Sequence, residues 1–203
     1  MLGAVLVGAV SPGPSFVLVS RIAVKSSRWD GLASALGMGL GGAVFATLAL
    51  LGFVTVLRQV ESLYLLLRVL GGLYLVYIGV RIWRGATEPL DVSDAGTTRP
   101  SSAFRSFGIG LATQLSNPKT AIVYASIFVA FLPSSAPTWL LLSLPALVFV
   151  VEASWYAVVA VAFSASGPRS AYLRSKAWVD RIAGGVMGAL GARLILGALQ
   201  TEN

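Results

Sequence analysis

Two ionisable residues stand where the chain is otherwise apolar. Lys119 lies in Gln114-Leu115-Ser116-Asn117-Pro118-Lys119-Thr120, about halfway along an apolar run from Phe104 to Leu132. Glu152 lies about fourteen residues into another, Thr138 to Phe163. Runs of that length and character are membrane-spanning helices, and an ionisable group deep in one marks a functional site by default. The chemistry on offer is recognition of a small charged molecule. Lys119 supplies positive charge for a carboxylate. Asn117 can donate to a carboxylate or accept from an amine, and Gln114, about one turn earlier, lines the same wall. Glu152 is costly at depth unless paired or protonated, and Lys119, at a similar depth, is its expected partner. A substrate competing for that cation would change the protonation of Glu152, so the two residues are candidates for proton coupling. The plainer reading is a static pair that holds two spans together. Tyr124 and Tyr156 are expected to pack.

Backbone breaks must position these side chains. Pro118 lacks an N–H and clashes with the carbonyl four residues earlier, so it breaks the helix beside Lys119. A second break stands near the N-terminus, at Ser11-Pro12-Gly13-Pro14-Ser15 inside the apolar run Leu2 to Val24. Amides freed there, at the start of a half-helix, can hold a substrate carboxylate. Gly13-Pro14 maps onto Asn117-Pro118 at a shift of 104 residues, and Gly72, Gly79 and Arg81 map onto Gly184, Gly191 and Arg193 at a shift of 112. Matched interruptions in corresponding helices of two halves are the sequence pointer to a transporter substrate site. The candidate substrate-binding residues are therefore Pro12, Gly13, Pro14, Ser15, Gln114, Asn117, Pro118 and Lys119, and the candidate coupling residues are Glu152 and Lys119.

Composition fits that setting. The chain is 56% hydrophobic and 11% charged, less than half the charge of a soluble domain, which makes it an integral membrane protein. It has no cysteine and no histidine, so thiol chemistry is excluded and the commonest transition-metal ligands are missing. No metal or other cofactor is expected, and any proton relay must run through carboxylate, lysine, tyrosine or water. The net charge of +7 is topological, reflecting basic loops against anionic lipid, and calls for no nucleic-acid partner. Clustered acids and a clear nucleophile are missing too, which argues against an enzyme. A cleaved signal peptide is not expected, since the first apolar run flows into the break without a basic start.

Six spans are expected: 2–24, 31–57, 63–83, 104–132, 138–163 and 178–199. The second holds Gly37, Gly39, Gly41 and Gly42, read as close helix packing. Residues 167–176 are expected to be a basic loop. Repeat one covers about 1–84, a cytoplasmic linker about 85–102, and repeat two about 103–203, all within one transporter domain. Loops after spans one, three and five carry eleven Lys and Arg, the opposite face three, which places both termini outside and the linker in the cytoplasm. Three spans per half then make the repeat an inverted one. The fold class is all-α integral membrane, six helices in a 3+3 inverted repeat with helices one and four broken. Trp29, Trp83, Trp139 and Trp178 fall at span ends as an interfacial belt; Trp155, inside span five, is the exception.

SPGP in the first span, the glycine-rich second span, YIGVRIW closing the third and QLSNPKT in the fourth resemble the LysE/RhtB family of bacterial amino-acid exporters. The likeness covers nearly the whole chain. It implies efflux of amino acids or similar small zwitterionic metabolites across the bacterial inner membrane, energised by the proton gradient. Many family members carry an acidic or amide residue where this chain has Ser15. One deep lysine and one deep acid suit a zwitterion; an inorganic-ion transporter or channel of a related six-helix fold is the alternative. The implied partners are a small-molecule substrate, an amino acid, and the lipid bilayer, with glycine-rich spans leaving room for a homodimer.

Overall fold

The structure, a computed structural model, describes residues 1–11, 13–59, 61–89, 102–132 and 136–200. Those residues are all-helical: α1 (Leu2–Val10), α2 (Pro14–Lys25), α3 (Arg28–Gln59), α4 (Glu61–Arg84) ending in a 3-10 turn (Gly85–Thr87), α5 (Ala103–Leu115), α6 (Pro118–Phe131), α7 (Thr138–Phe163) and α8 (Ser166–Leu199). Among the described residues, the single helices long and apolar enough to cross a membrane are α3, over Arg28–Gly52, α7 and α8; α1 and α2 pass the same test only as a pair, bent by 60°, which is the geometry of a broken span or a re-entrant loop. Most of the expected linker and the turn at 133–135 lie outside the described residues, as does Pro12.

Both breaks follow from proline. Pro14 has no N–H for the Val10 carbonyl, so α1 ends there and α2 restarts with Pro14 in its first turn, where the missing donor costs nothing. Gly13 precedes it in extended backbone, φ −152° and ψ −174°. Pro118 acts alike on Gln114, but here Asn117 caps the new helix, its side chain accepting from Lys119 N at 3.1 Å, and the orphaned Gln114 carbonyl takes the Asn117 N–H at 3.1 Å. The α2–α3 turn is closed by a reciprocal cap: Asp30 N donates to Ser27 Oγ (3.0 Å) and both Ser26 and Ser27 hydroxyls donate to Asp30 Oδ2 (2.7 Å). Asp30 Oδ1 also accepts from Ser106 Oγ (3.2 Å), tying the start of α3 to α5.

The expected loop at 167–176 is instead the first ten residues or so of α8. Pro168 is tolerated in a first helical turn, and the Arg, Lys, Ala and Leu that follow are good helix formers. At 34 residues α8 is about 50 Å long, well beyond a hydrocarbon core of roughly 30 Å, so its basic start projects past the bilayer. Trp178 is 67% exposed, and Trp29, Trp83 and Trp139 are similarly exposed at the ends of α3, α4 and α7. Leucines and valines such as Leu48, Leu70, Leu142 and Val158 face outward, as a lipid-facing surface requires.

Glycine sets the tightest helix contacts. Between α4 and α8, a Cβ on Gly79 would sit 2.6 Å from the Gly184 carbonyl, and one on Gly72 would sit 2.8 Å from that of Gly191. These are the glycines that align at a shift of 112, and they meet crosswise. Two buried clusters complete the packing. One centres on Val5, Leu75, Ile127, Phe128 and Met187, the other on Phe16, Val19, Met38, Val159 and Phe163.

Candidate functional site

The two breaks meet. Asn117 Nδ2 donates to Ser15 Oγ at 3.1 Å, Ser15 Oγ donates to Gln114 Oε1 at 2.6 Å, and Gln114 Nε2 donates to Glu152 Oε2 at 2.6 Å. All four residues are buried. One polar chain thus runs from the cap of α6, across the start of α2, to the carboxylate on α7. Lys119, partly buried, reaches back to the other break, its Nζ donating to Ser11 Oγ at 3.2 Å. Trp155 Nε1 donates to the Ala9 carbonyl at 3.1 Å, one of the acceptors left over where α1 stops. That bond accounts for a tryptophan inside a span. Its signal in the sequence is a mid-span indole matched to a nearby helix break.

The expected ion pair between Lys119 and Glu152 is not formed; among the described residues the salt bridge is Lys176–Asp180, at 2.7 Å. Glu152 points into a notch in α3. A Cβ on Gly42 would press on the Glu152 carboxylate, and one on Gly41 would come within 2.7 Å of Gln114 Cβ. The α3 glycines therefore divide. Gly37 and Gly39 let α5 and α7 approach, with a Cβ on Gly37 meeting Leu111 N at 2.7 Å and one on Gly39 meeting Ala153 Cβ at 2.8 Å. Gly41 and Gly42 seat the two residues at the end of the polar chain.

Two cavities flank Lys119. The inner one, about 30 Å³, is lined by Ser11, Gly13, Ser15, Asn117, Lys119 and Glu152 together with Tyr124 and Tyr156. That is room for a water or two, not for an amino acid. The buried Tyr124 hydroxyl stands there beside the Glu152 carboxylate. The outer one, a vestibule of about 800 Å³, opens toward the end of α4 and the 3-10 turn and is lined by Pro14, Pro118 and residues of α4 and α8. Gly13, Asn117 and Lys119 border both. Gln114 stands behind the inner cavity, joining Ser15 to Glu152. Sequence reasoning misses Asp180 and Arg81 in the vestibule wall. Their signal is weak: Lys176 and Asp180 are spaced i, i+4 at the head of the last helix, and Arg81 sits in YIGVRIW.

The family model for "LysE type translocator" matches residues 6–198. The chain belongs to the LysE type translocator family. Among curated relatives of this LysE-family chain, the "Threonine efflux protein" of Escherichia coli (strain K12) is 36% identical over 94% of this chain and 93% of its own length. An "Uncharacterized membrane protein YahN" of the same strain is 31% identical over 96% and 86%. The "Leucine efflux protein" of Salmonella choleraesuis (strain SC-B67) is 31% identical over 68% and 63%. No solved structure matches the chain significantly. Family, helical fold and apolar outer surface together make this LysE-family chain a multi-pass membrane protein.

Proposed function

We propose that the protein is a secondary transporter that exports amino acids, or similar small zwitterionic metabolites, across the bacterial inner membrane in exchange for protons. The observation that carries this reading is the buried Asn117–Ser15–Gln114–Glu152 chain, which joins both helix breaks to a membrane-embedded carboxylate. The efflux proteins among its relatives support the substrate class. The α2 start has no side-chain cap, so its first amides are available to a carboxylate, whereas α6 is capped by Asn117. Tyr124 Oη and the substrate's own groups would share the inner cavity once it widens. Glu152 lies at the far end of the chain from Asn117, so a change at the substrate is felt at the carboxylate through three successive hydrogen bonds, with Glu152 taking and releasing the coupled proton.

Six spans in a 3+3 inverted repeat account for the geometry. An operation that exchanges Gly72 with Gly184 and Gly79 with Gly191 turns the Gly72–Gly191 contact into the Gly184–Gly79 contact, and both are present. With the linker in the cytoplasm and both termini outside, the vestibule faces the cytoplasm and the narrow inner cavity closes the path outward, a state ready to load. A reporter fused after Asn203 then behaves as periplasmic.

Everted membrane vesicles from cells making the protein test the function. Energised vesicles are expected to accumulate at least one radiolabelled amino acid from a panel headed by threonine and leucine, and to lose it when a protonophore is added. Accumulation of none of them refutes the reading; accumulation that ignores the protonophore refutes the coupling.

A further inference from the structure

The vestibule carries more chemistry than a passage needs. Arg81, Arg84, Lys119 and Lys176 line it, together with Glu88 and Asp180. Four cations against two carboxylates select for a molecule with a negative group. Asp180 is only 3% exposed. Lys176 Nζ donates to its Oδ2 at 2.7 Å, and to the carbonyls of Gly85 and Ala86 at 3.2 Å each, so the acid is fixed by the turn that ends α4. Its Oδ1 is buried and has no hydrogen-bond partner. A desolvated carboxylate oxygen left without a donor is costly in itself and is a ready acceptor for an incoming ammonium. Lys119 interacts electrostatically with both Asp180 and Arg81, so opposite charges flank one space.

We infer that the vestibule is a second, outlying binding site for a zwitterion, in which Asp180 accepts the ammonium group and Arg81 with Lys119 holds the carboxylate, before the substrate reaches the helix breaks. The site rests on the exporter reading for its place in transport; Asp180 and Arg81 lie outside the residues that reading uses, and the helix breaks with Lys119 form the border the two share. Lys119 is the handover point: it touches Ser11 on the inner side and faces Asp180 on the outer side. Releasing the Ser11 hydroxyl and carrying a carboxylate inward is one movement of one side chain.

The absence of native cysteine gives a direct assay. Tyr77 lies one helical turn before Arg81, lines the vestibule and is 57% exposed, so Tyr77→Cys reports on the site. L-threonine serves as the probe, with N-acetyl-L-threonine lacking the ammonium, L-threonine methyl ester lacking the carboxylate, and inorganic phosphate as the simple anion. L-threonine is expected to slow maleimide labelling of Tyr77→Cys about three-fold or more, and the other three to leave it unchanged. Protection should persist in Tyr77→Cys combined with Glu152→Gln, which disables the inner site, and vanish with Asp180→Asn. In the cysteine-free protein, Asp180→Asn and Arg81→Gln should each raise the KM for export about ten-fold with the maximal rate retained, as loss of a charged hydrogen bond predicts. Arg81 is exposed, so Arg81→Gln gives that readout even if Asp180→Asn fails to fold. Protection by phosphate overturns the zwitterion site in favour of a simple anion site. Export by the wild type with no protection, or with an unchanged KM in Arg81→Gln, overturns the vestibule site and leaves the exporter standing. Failure of the wild type to export or bind any amino acid overturns both.

Discussion

Gly42→Ala tests the polar chain without replacing a group that could carry a proton. The added Cβ would lie 2.8 Å from Glu152 Cδ and 3.0 Å from Tyr124 Oη. Carbon atoms rest at roughly 3.5–4.0 Å, so the carboxylate must withdraw by about 0.7 Å or more. The Gln114–Glu152 hydrogen bond, 2.6 Å long, then stretches to the limit of a useful one. Losing a hydrogen bond to a charged group costs about 1.5–3 kcal/mol, or roughly ten- to a hundred-fold in whichever step depends on it. Energised everted vesicles should therefore show proton-dependent accumulation falling by at least about ten-fold, with exchange of substrate across unenergised vesicles less affected. Gly52→Ala is the control: nothing lies within 4 Å of its Cβ, and alanine there should be neutral or slightly stabilising. Shortening the acid makes room again, since Glu152→Asp withdraws the carboxylate by about one carbon–carbon bond, ~1.5 Å. The double variant Gly42→Ala with Glu152→Asp should couple better than Gly42→Ala alone. Normal coupling in Gly42→Ala, in protein that melts at the wild-type temperature, would refute the role given to Glu152 and its seat.

Pro14→Ala and Pro118→Ala should each abolish export while the protein still inserts, because a continuous helix re-pairs the backbone groups the breaks release; wild-type transport by both variants rules out the breaks as the site. Trp155→Phe leaves the Ala9 carbonyl without its donor, and should cost about 1–3 kcal/mol in thermal unfolding of purified protein; an unchanged melting temperature counts against that bond. Lys119 and Glu152 form no ion pair, so the double variant Lys119→Met with Glu152→Gln should transport no better than either single variant; a rescued double variant would restore the ion pair.

Proline makes the breaks legible in the sequence, because it leaves the backbone no choice about where the donor is lost. Asn117-Pro118 and Gly13-Pro14 accordingly start helices where the spacing predicts. The depth of Lys119 and Glu152 along their spans is legible too. Their partners are not, because depth along a helix says nothing about the direction a side chain takes around it. Glu152 turns toward α3 because Gly41 and Gly42 leave space there, and that space exists only after α3 and α7 have packed. The four glycines of α3 look alike as a string and serve two purposes in three dimensions. Lys176 and Asp180 read as the end of a loop and the start of a span, and their burial depends on the Gly85 and Ala86 carbonyls ninety residues away in the chain.

The crossed glycine contacts between α4 and α8 bear on how such a molecule moves. At Gly72–Gly191 and Gly79–Gly184 the two helices come so close that neither glycine of a pair has room for a Cβ. Two such points, two helical turns apart, make the pair a strut that can neither shear nor twist without collision. Arg81 and Asp180 ride on that strut, while Ser11, Ser15, Asn117 and Lys119 ride on the broken helices. In the proposed export cycle the backbone spacing of Arg81 and Asp180 is then expected to hold constant, and the spacing of Lys119 and Asp180 to change.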